Sequence, residues 1–139
     1  MTKTKTLQAV LLILEKDGKI LYGKRAPDRE SLPGRWSLPS DKIEKGETLE
    51  KAARRCAMHE LGLNIRKVIL FNTYHFKDEK EDKTLNFIKA VYDDIPKICD
   101  PRELTELEFY SFEDFFKKHK DEEIGHGLQY LRRKFYSNI

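Results

Sequence analysis

The sequence predicts an α/β domain in which helices pack on a sheet, and three observations carry that prediction. An apolar run, "AVLLIL" from Ala9 to Leu14, is followed by the turn-forming pair Asp17-Gly18 and a second apolar stretch, as in a hairpin. Between residues 49 and 61 the apolar positions switch to a helical period. Beyond them, "RKVILFNTYHF" and "TLNFIKAVYDD" return to strand-like composition on either side of the charged connection "KDEKEDK". A length of 139 residues suits one domain, 1–139, with a substantial core.

Each element has a local justification. Residues Leu7 to Glu15 read as a mostly buried strand, and "KILYGKR" from Lys19 to Arg25 as its antiparallel return after "KDGK". "APDRESLPGRW" is rich in Pro, Gly and charge and reads as an ordered loop, with a short extended piece "WSLP" behind it. Thr48 is placed as the N-cap of a helix over 49–61, whose apolar residues Leu49, Ala52, Ala53, Cys56, Ala57 and Leu61 share one stripe. Gly62 can supply the left-handed residue that ends it. The two later strands form a second hairpin. "PRELTELEFYSF" supplies a loop and a short strand, Ser111 and Asp114 begin a helix over "FEDFFKKHK", and Leu128, Leu131 and Phe135 make a terminal helix amphipathic.

Composition excludes several classes. With 39% hydrophobic and 37% charged residues the chain is a folded protein with a heavily solvated surface. Its longest apolar run is too short to cross a bilayer and no cleavage site follows it, so no membrane association is expected and a cytoplasmic location is. The net charge of +3, from 27 basic and 24 acidic residues, is modest for a nucleic-acid binder despite basic residues at Lys3, Lys5 and Arg132 to Lys134. Two cysteines, Cys56 and Cys99, make reduced thiols a simpler reading than a disulfide framework.

Chemistry concentrates in "RRCAMHELG", residues 54 to 62, where Cys56, His59 and Glu60 stand at i, i+3 and i+4 on one side of the helix. The surrounding stretch, "LPSDKIEKGETLEKAARRCAMHELGL" from Leu38 to Leu63, resembles the Nudix hydrolase signature. That signature runs Gly, five residues, Glu, seven residues, Arg-Glu, an aliphatic residue, any residue, Glu-Glu, any residue, Gly and an aliphatic residue. Glu47, Arg55, Glu60, Gly62 and Leu63 match it, whereas Asp41 replaces the first Gly, Cys56 the Glu after Arg55, and His59 the first member of the Glu pair. The preceding "AVLLILEKDGKILYGKRAPDRESLPGRWSLP" is also typical of the family.

The resemblance implies an α/β/α sandwich with a mixed sheet, and a nucleotide derivative as ligand. It implies water attack on a diphosphate assisted by magnesium or manganese, with Glu60, Glu47 and Arg55 as the catalytic residues. It also implies a homodimer as an expected assembly. Hard cations want oxygen ligands, so with Cys56 and His59 in place of two carboxylates the affinity for magnesium should fall. Cys56, His59 and Glu60 could instead hold a softer metal or none, and Cys56 could be a buried small hydrophobe. Asp41 is expected to reshape the turn where the family uses glycine. Glu47 and Arg55 are expected to pair.

Compensating acids are sought at Glu44, Glu103, Glu106 and Glu108. Arg25 and Arg35 are candidates for phosphate and Trp36, Tyr74 or Phe76 for stacking on a base, with salt bridges and core packing as the alternatives. Three functions follow: a weak or altered metal-dependent pyrophosphohydrolase, a binding module that kept the cleft and lost the chemistry, and, last, a basic interaction domain.

Overall fold

A computed structural model describes residues 5–28 and 32–139. The basic start at Lys3 and the middle of the Pro/Gly-rich loop, residues 29–31, lie outside the described residues. In chain order the elements are β1 (Lys5–Lys16), β2 (Lys19–Arg25), β3 (Trp36–Ser37), β4 (Ser40–Lys42), α1 (Leu49–Leu61), β5 (Ile65–Lys77), β6 (Glu81–Tyr92) and β7 (Leu104–Tyr110). Helix α2 (Phe112–Lys118), a 3₁₀ turn (Asp121–Glu123) and α3 (His126–Phe135) follow. No helix among them is long and apolar enough to cross a membrane.

β1 is the axis of the sheet. One of its edges runs parallel to β6 from Lys5↔Glu81 to Glu15↔Val91. The other is shared, with β4 beside Ala9 to Leu11 and β2 beside Glu15 and Lys16. The central order is β3-β2-β1-β6-β5, with β7 also on β2. Val10, Leu12 and Leu14 pack with Ala52, Ala53, Cys56 and Ala57 of α1. Ala9, Leu11 and Ile13 pack with Phe115 and Phe116 of α2 and Leu128 and Leu131 of α3. A strand covered on both faces reads as an unbroken apolar run, which is why "AVLLIL" does not alternate. The result is the expected α/β/α sandwich with a mixed sheet.

The first hairpin, the second hairpin and α1 stand where the sequence places them. Thr48 accepts from the Lys51 amide at 3.1 Å, and Gly62 ends α1 at φ 67° with its N–H returned to the last turn. Ser111 caps α2 through the Asp114 amide at 3.1 Å. In "KDEKEDK" the Asp78 carboxylate accepts from the amides of Lys80 and Glu81, at 2.8 and 2.7 Å. The turn is therefore tight, and both strands extend beyond the expected limits. Two features were not foreseen. Ser40 to Lys42 form a strand on β1, and β1 lies parallel to β6. α3 then docks closely, because Gly127 leaves no Cβ to collide with Leu11 and Phe87.

Candidate functional site

Arg55 projects from α1 onto the segment that precedes the helix. Its Nε and one terminal nitrogen donate to the two oxygens of Glu47 at 2.7 and 2.9 Å, and its other terminal nitrogen donates to Asp41 Oδ2 at 2.8 Å. The nitrogen that reaches Glu47 also reaches the Lys42 carbonyl at 2.8 Å. A planar fork matched to a carboxylate in this way fixes geometry as well as charge. The Glu44 amide donates to the same Glu47 side chain at 3.0 Å, so the loop is closed around Arg55 by protein groups alone.

Asp41 does not reshape a turn as expected. It sits in β4 opposite Val10 with an ordinary φ, and its carboxylate becomes a third anchor for Arg55.

The hydrogen bonds from Arg55, followed by that from the Glu44 amide, hold the Glu47 carboxyl at about 2, below its usual 4.5. A folded-state value depressed below the unfolded one contributes stability above about 4.5 that is lost as pH falls through about 2. Wild type is therefore expected to melt above Glu47→Gln near neutrality, with the gap closing as the pH is lowered across that window. Thermal melts of both proteins at a series of pH values check this, and a gap that persists at the acid end would exclude it.

Glu60 is buried, and it opens on a cleft of about 780 Å³. The cleft is also lined by Arg25 of β2, Asp41 of β4, His59 of α1 and Glu103, which immediately precedes β7. The helical triad does not converge there as three ligands. Cys56 has no exposed surface, belongs to the core under α1, and places its sulfur 3.9 Å from Glu60 Oε2. Burial first, and the Glu60 charge second, push its thiol well above the usual range, so it is a neutral thiol at physiological pH. His59 is exposed at the rim. Among the described residues no three His, Cys, Asp or Glu side chains group as metal ligands.

Of the four loop acids sought as replacements, only Glu103 reaches the cleft. Glu106 pairs with Lys24 at 3.2 Å. Glu108 is held by Lys118 at 2.6 Å and His119 at 2.8 Å, and Glu44 is exposed outside the cleft.

Of the residues expected at the substrate, Arg25, Tyr74 and Phe76 line the cleft, whereas Arg35 and Trp36 do not. Arg35 donates to the Ile124 carbonyl at 3.2 Å. Trp36 is core, its ring 5.7 Å from that of buried His119. An indole this large is worth more buried than left in a wet cleft, and β3 turns it inward.

Sequence reasoning missed the other wall, made by Lys83 of β6 and by His126, Gln129 and Arg133 of α3. The polar residues at helical spacing in α3 were the available signal.

The NUDIX domain family model matches residues 4–131 of the chain. Curated relatives include the nucleoside triphosphatase NudI of Enterobacter sp. (strain 638), 36% identical over 72 residues that cover 52% of this chain and 50% of that protein. NudI of Escherichia coli (strain SE11) is 35% identical over the same shares. The chain spans about half the length of the curated relatives it matches.

Among solved structures, the MutT NUDIX hydrolase from Burkholderia pseudomallei has a TM-score of 0.78 at 20% identity, covering 94% of this chain and 98% of that one. The MutT protein of Methanosarcina mazei Go1 has a TM-score of 0.77 at 15% identity, covering 99% of both. These two likenesses speak for the fold. With a family model that spans nearly the whole chain and a fold shared end to end with MutT structures, this protein belongs to the NUDIX domain family.

Proposed function

We propose that the cleft binds a ligand in which a nucleoside diphosphate is linked to a further moiety, and that the chain cleaves the diphosphate slowly in magnesium or manganese. The observation that carries this reading is the meeting of Glu60, Glu103 and Asp41 with Arg25 on one cleft. Arg25 suits phosphate oxygens, and the carboxylates suit a hard divalent ion whose shell the phosphates would complete. Such an ion would neutralise phosphate charge and activate water. Glu60 and Glu103 are the residues to hold it. Cys56, a buried neutral thiol, adds nothing to that donor set. Glu47 and Arg55 act as positioning residues, because their bonds shape the loop beside Glu60.

A second reading, a nucleotide-binding module without turnover, is favoured by the loss of carboxylates at Cys56 and His59.

The test is a panel of nucleoside triphosphates, nucleoside diphosphate sugars and dinucleoside polyphosphates, with binding and hydrolysis measured together in magnesium, manganese and zinc. The proposal expects binding with turnover well below about 10 s⁻¹, a common enzyme rate. Binding without any turnover selects the second reading. Turnover at ordinary enzyme rates would overturn the depleted site, and absence of binding across the panel would overturn both readings.

A further inference from the structure

The cleft has two ends of different chemistry. At one stand Asp41, Glu60 and Arg25, assigned above to the diphosphate. At the other, Lys83 rises from the sheet floor between Leu7 of β1 and Phe76 of β5, its register partners on either side. A lysine projecting from an inner strand between two apolar neighbours loses hydration, and its side chain is 24% exposed. Glu81, 3.3 Å away, is its ion-pair partner on the same strand and is itself 43% exposed.

Arg133 reaches the cleft from α3, on the helical stripe that also carries His126 and Gln129. Among the described residues Arg133 makes no ion pair, so the cations of this end outnumber the single carboxylate of Glu81. His126 registers the surplus. Desolvation and then the charges of Lys83, Arg35 and Arg133 hold its imidazole below the usual range against the opposing effect of Glu81.

We infer that the ligand of this cleft carries a second anionic oxyacid group, beyond its diphosphate, which seats between Lys83 and Arg133. The inference rests on the nucleotide-binding reading above and names the class of ligand within it.

The spacing supports it. Lys83 is opposite Leu7 and Asp41 is opposite Val10, on the two different edges of β1. Three residues of strand at about 3.3 Å and two strand spacings of about 4.8 Å separate them by on the order of 14 Å. Adjacent phosphates of one chain do not bridge that gap. Between the two ends lies an apolar row across the sheet, Ala9, Leu85 and Tyr74, which suits a ring or sugar. The order along the cleft is therefore diphosphate, ring, anion.

Matched ligands test this by calorimetry at low salt. Coenzyme A against dephospho-coenzyme A asks for a phosphate, and uridine diphosphate glucuronate against uridine diphosphate glucose asks for a carboxylate. In at least one pair the anionic member is expected to bind about tenfold or more tightly, since a charge-assisted contact is being added. The preference should shrink as salt is raised. Lys83→Met with Arg133→Gln should bring the pair to within about twofold, leaving the affinity of the neutral member unchanged. Arg133→Gln alone, at an exposed position, should give part of that loss without risk to folding.

Equal binding of both members in both pairs, or a preference that survives the double variant, overturns the inference and leaves the proposed function standing. If no member of either pair binds, the proposed function fails and the inference falls with it.

Discussion

A Cys56→Glu, His59→Glu double variant is expected to cleave nucleotide substrates in manganese about tenfold or more faster than the wild type. The two changes restore carboxylates at i, i+3 and i+4 on the face that carries Glu60, and so supply the oxygen donors that a hard cation requires. The structure adds a cost that the motif does not reveal. Position 56 is wholly buried against Ala52, Ala53 and the β1 core, with Glu60 beside it. A second carboxylate there is desolvated and faces a like charge. The double variant should therefore melt below the wild type without metal and regain stability when manganese is added, while the wild type responds little. A Cys56→Gln, His59→Gln control separates charge from volume. If the double variant is folded and saturated with manganese yet no faster than wild type, the loss of these two carboxylates is not what limits the site.

Glu60→Gln is expected to lower any manganese-dependent turnover of the wild type by roughly 100-fold or more, beyond what loss of an outer-shell partner commonly costs. Glutamine keeps the volume of a residue packed at 6% exposure and keeps an oxygen near the Cys56 thiol, so a folding defect does not account for such a loss. The measurement is steady-state turnover with the melting temperature recorded beside it. Should turnover survive in a folded Glu60→Gln protein, the chemistry lies elsewhere in the cleft, and Glu103 and Asp41 become the residues to remove next.

The local parts of this fold were legible because their causes are local. Helix α1 begins at the cap that Thr48 supplies and ends where Gly62 takes a positive φ, as its apolar period and terminal residues indicate. Asp17-Gly18 marks the β1–β2 turn in the same way. The pair between Glu47 and Arg55 also followed from the motif. What was not legible depended on neighbours distant in the chain. β4 is three residues long and exists because β1 offers it an edge. Trp36 and Arg35 adjoin the cleft in sequence, yet His119 and Ile124, more than eighty residues away, take them.

By itself the sequence determined the sandwich of helices on a mixed sheet, the helix that carries Glu60, and the replacement of two carboxylates by Cys56 and His59. Periodicity, capping and residue type are properties of short segments, and they survive without knowledge of what packs where. Only the tertiary structure decided which acids share a cleft with Glu60. Glu103 reaches it while Glu106 and Glu108 are drawn to Lys24, Lys118 and His119. It also decided that Cys56 is core and that Asp41 serves Arg55, and it brought Lys83 to face Arg133 across the cleft. Each outcome is set by strand register and helix docking, which join residues far apart in the chain and are selected by the burial of the whole core.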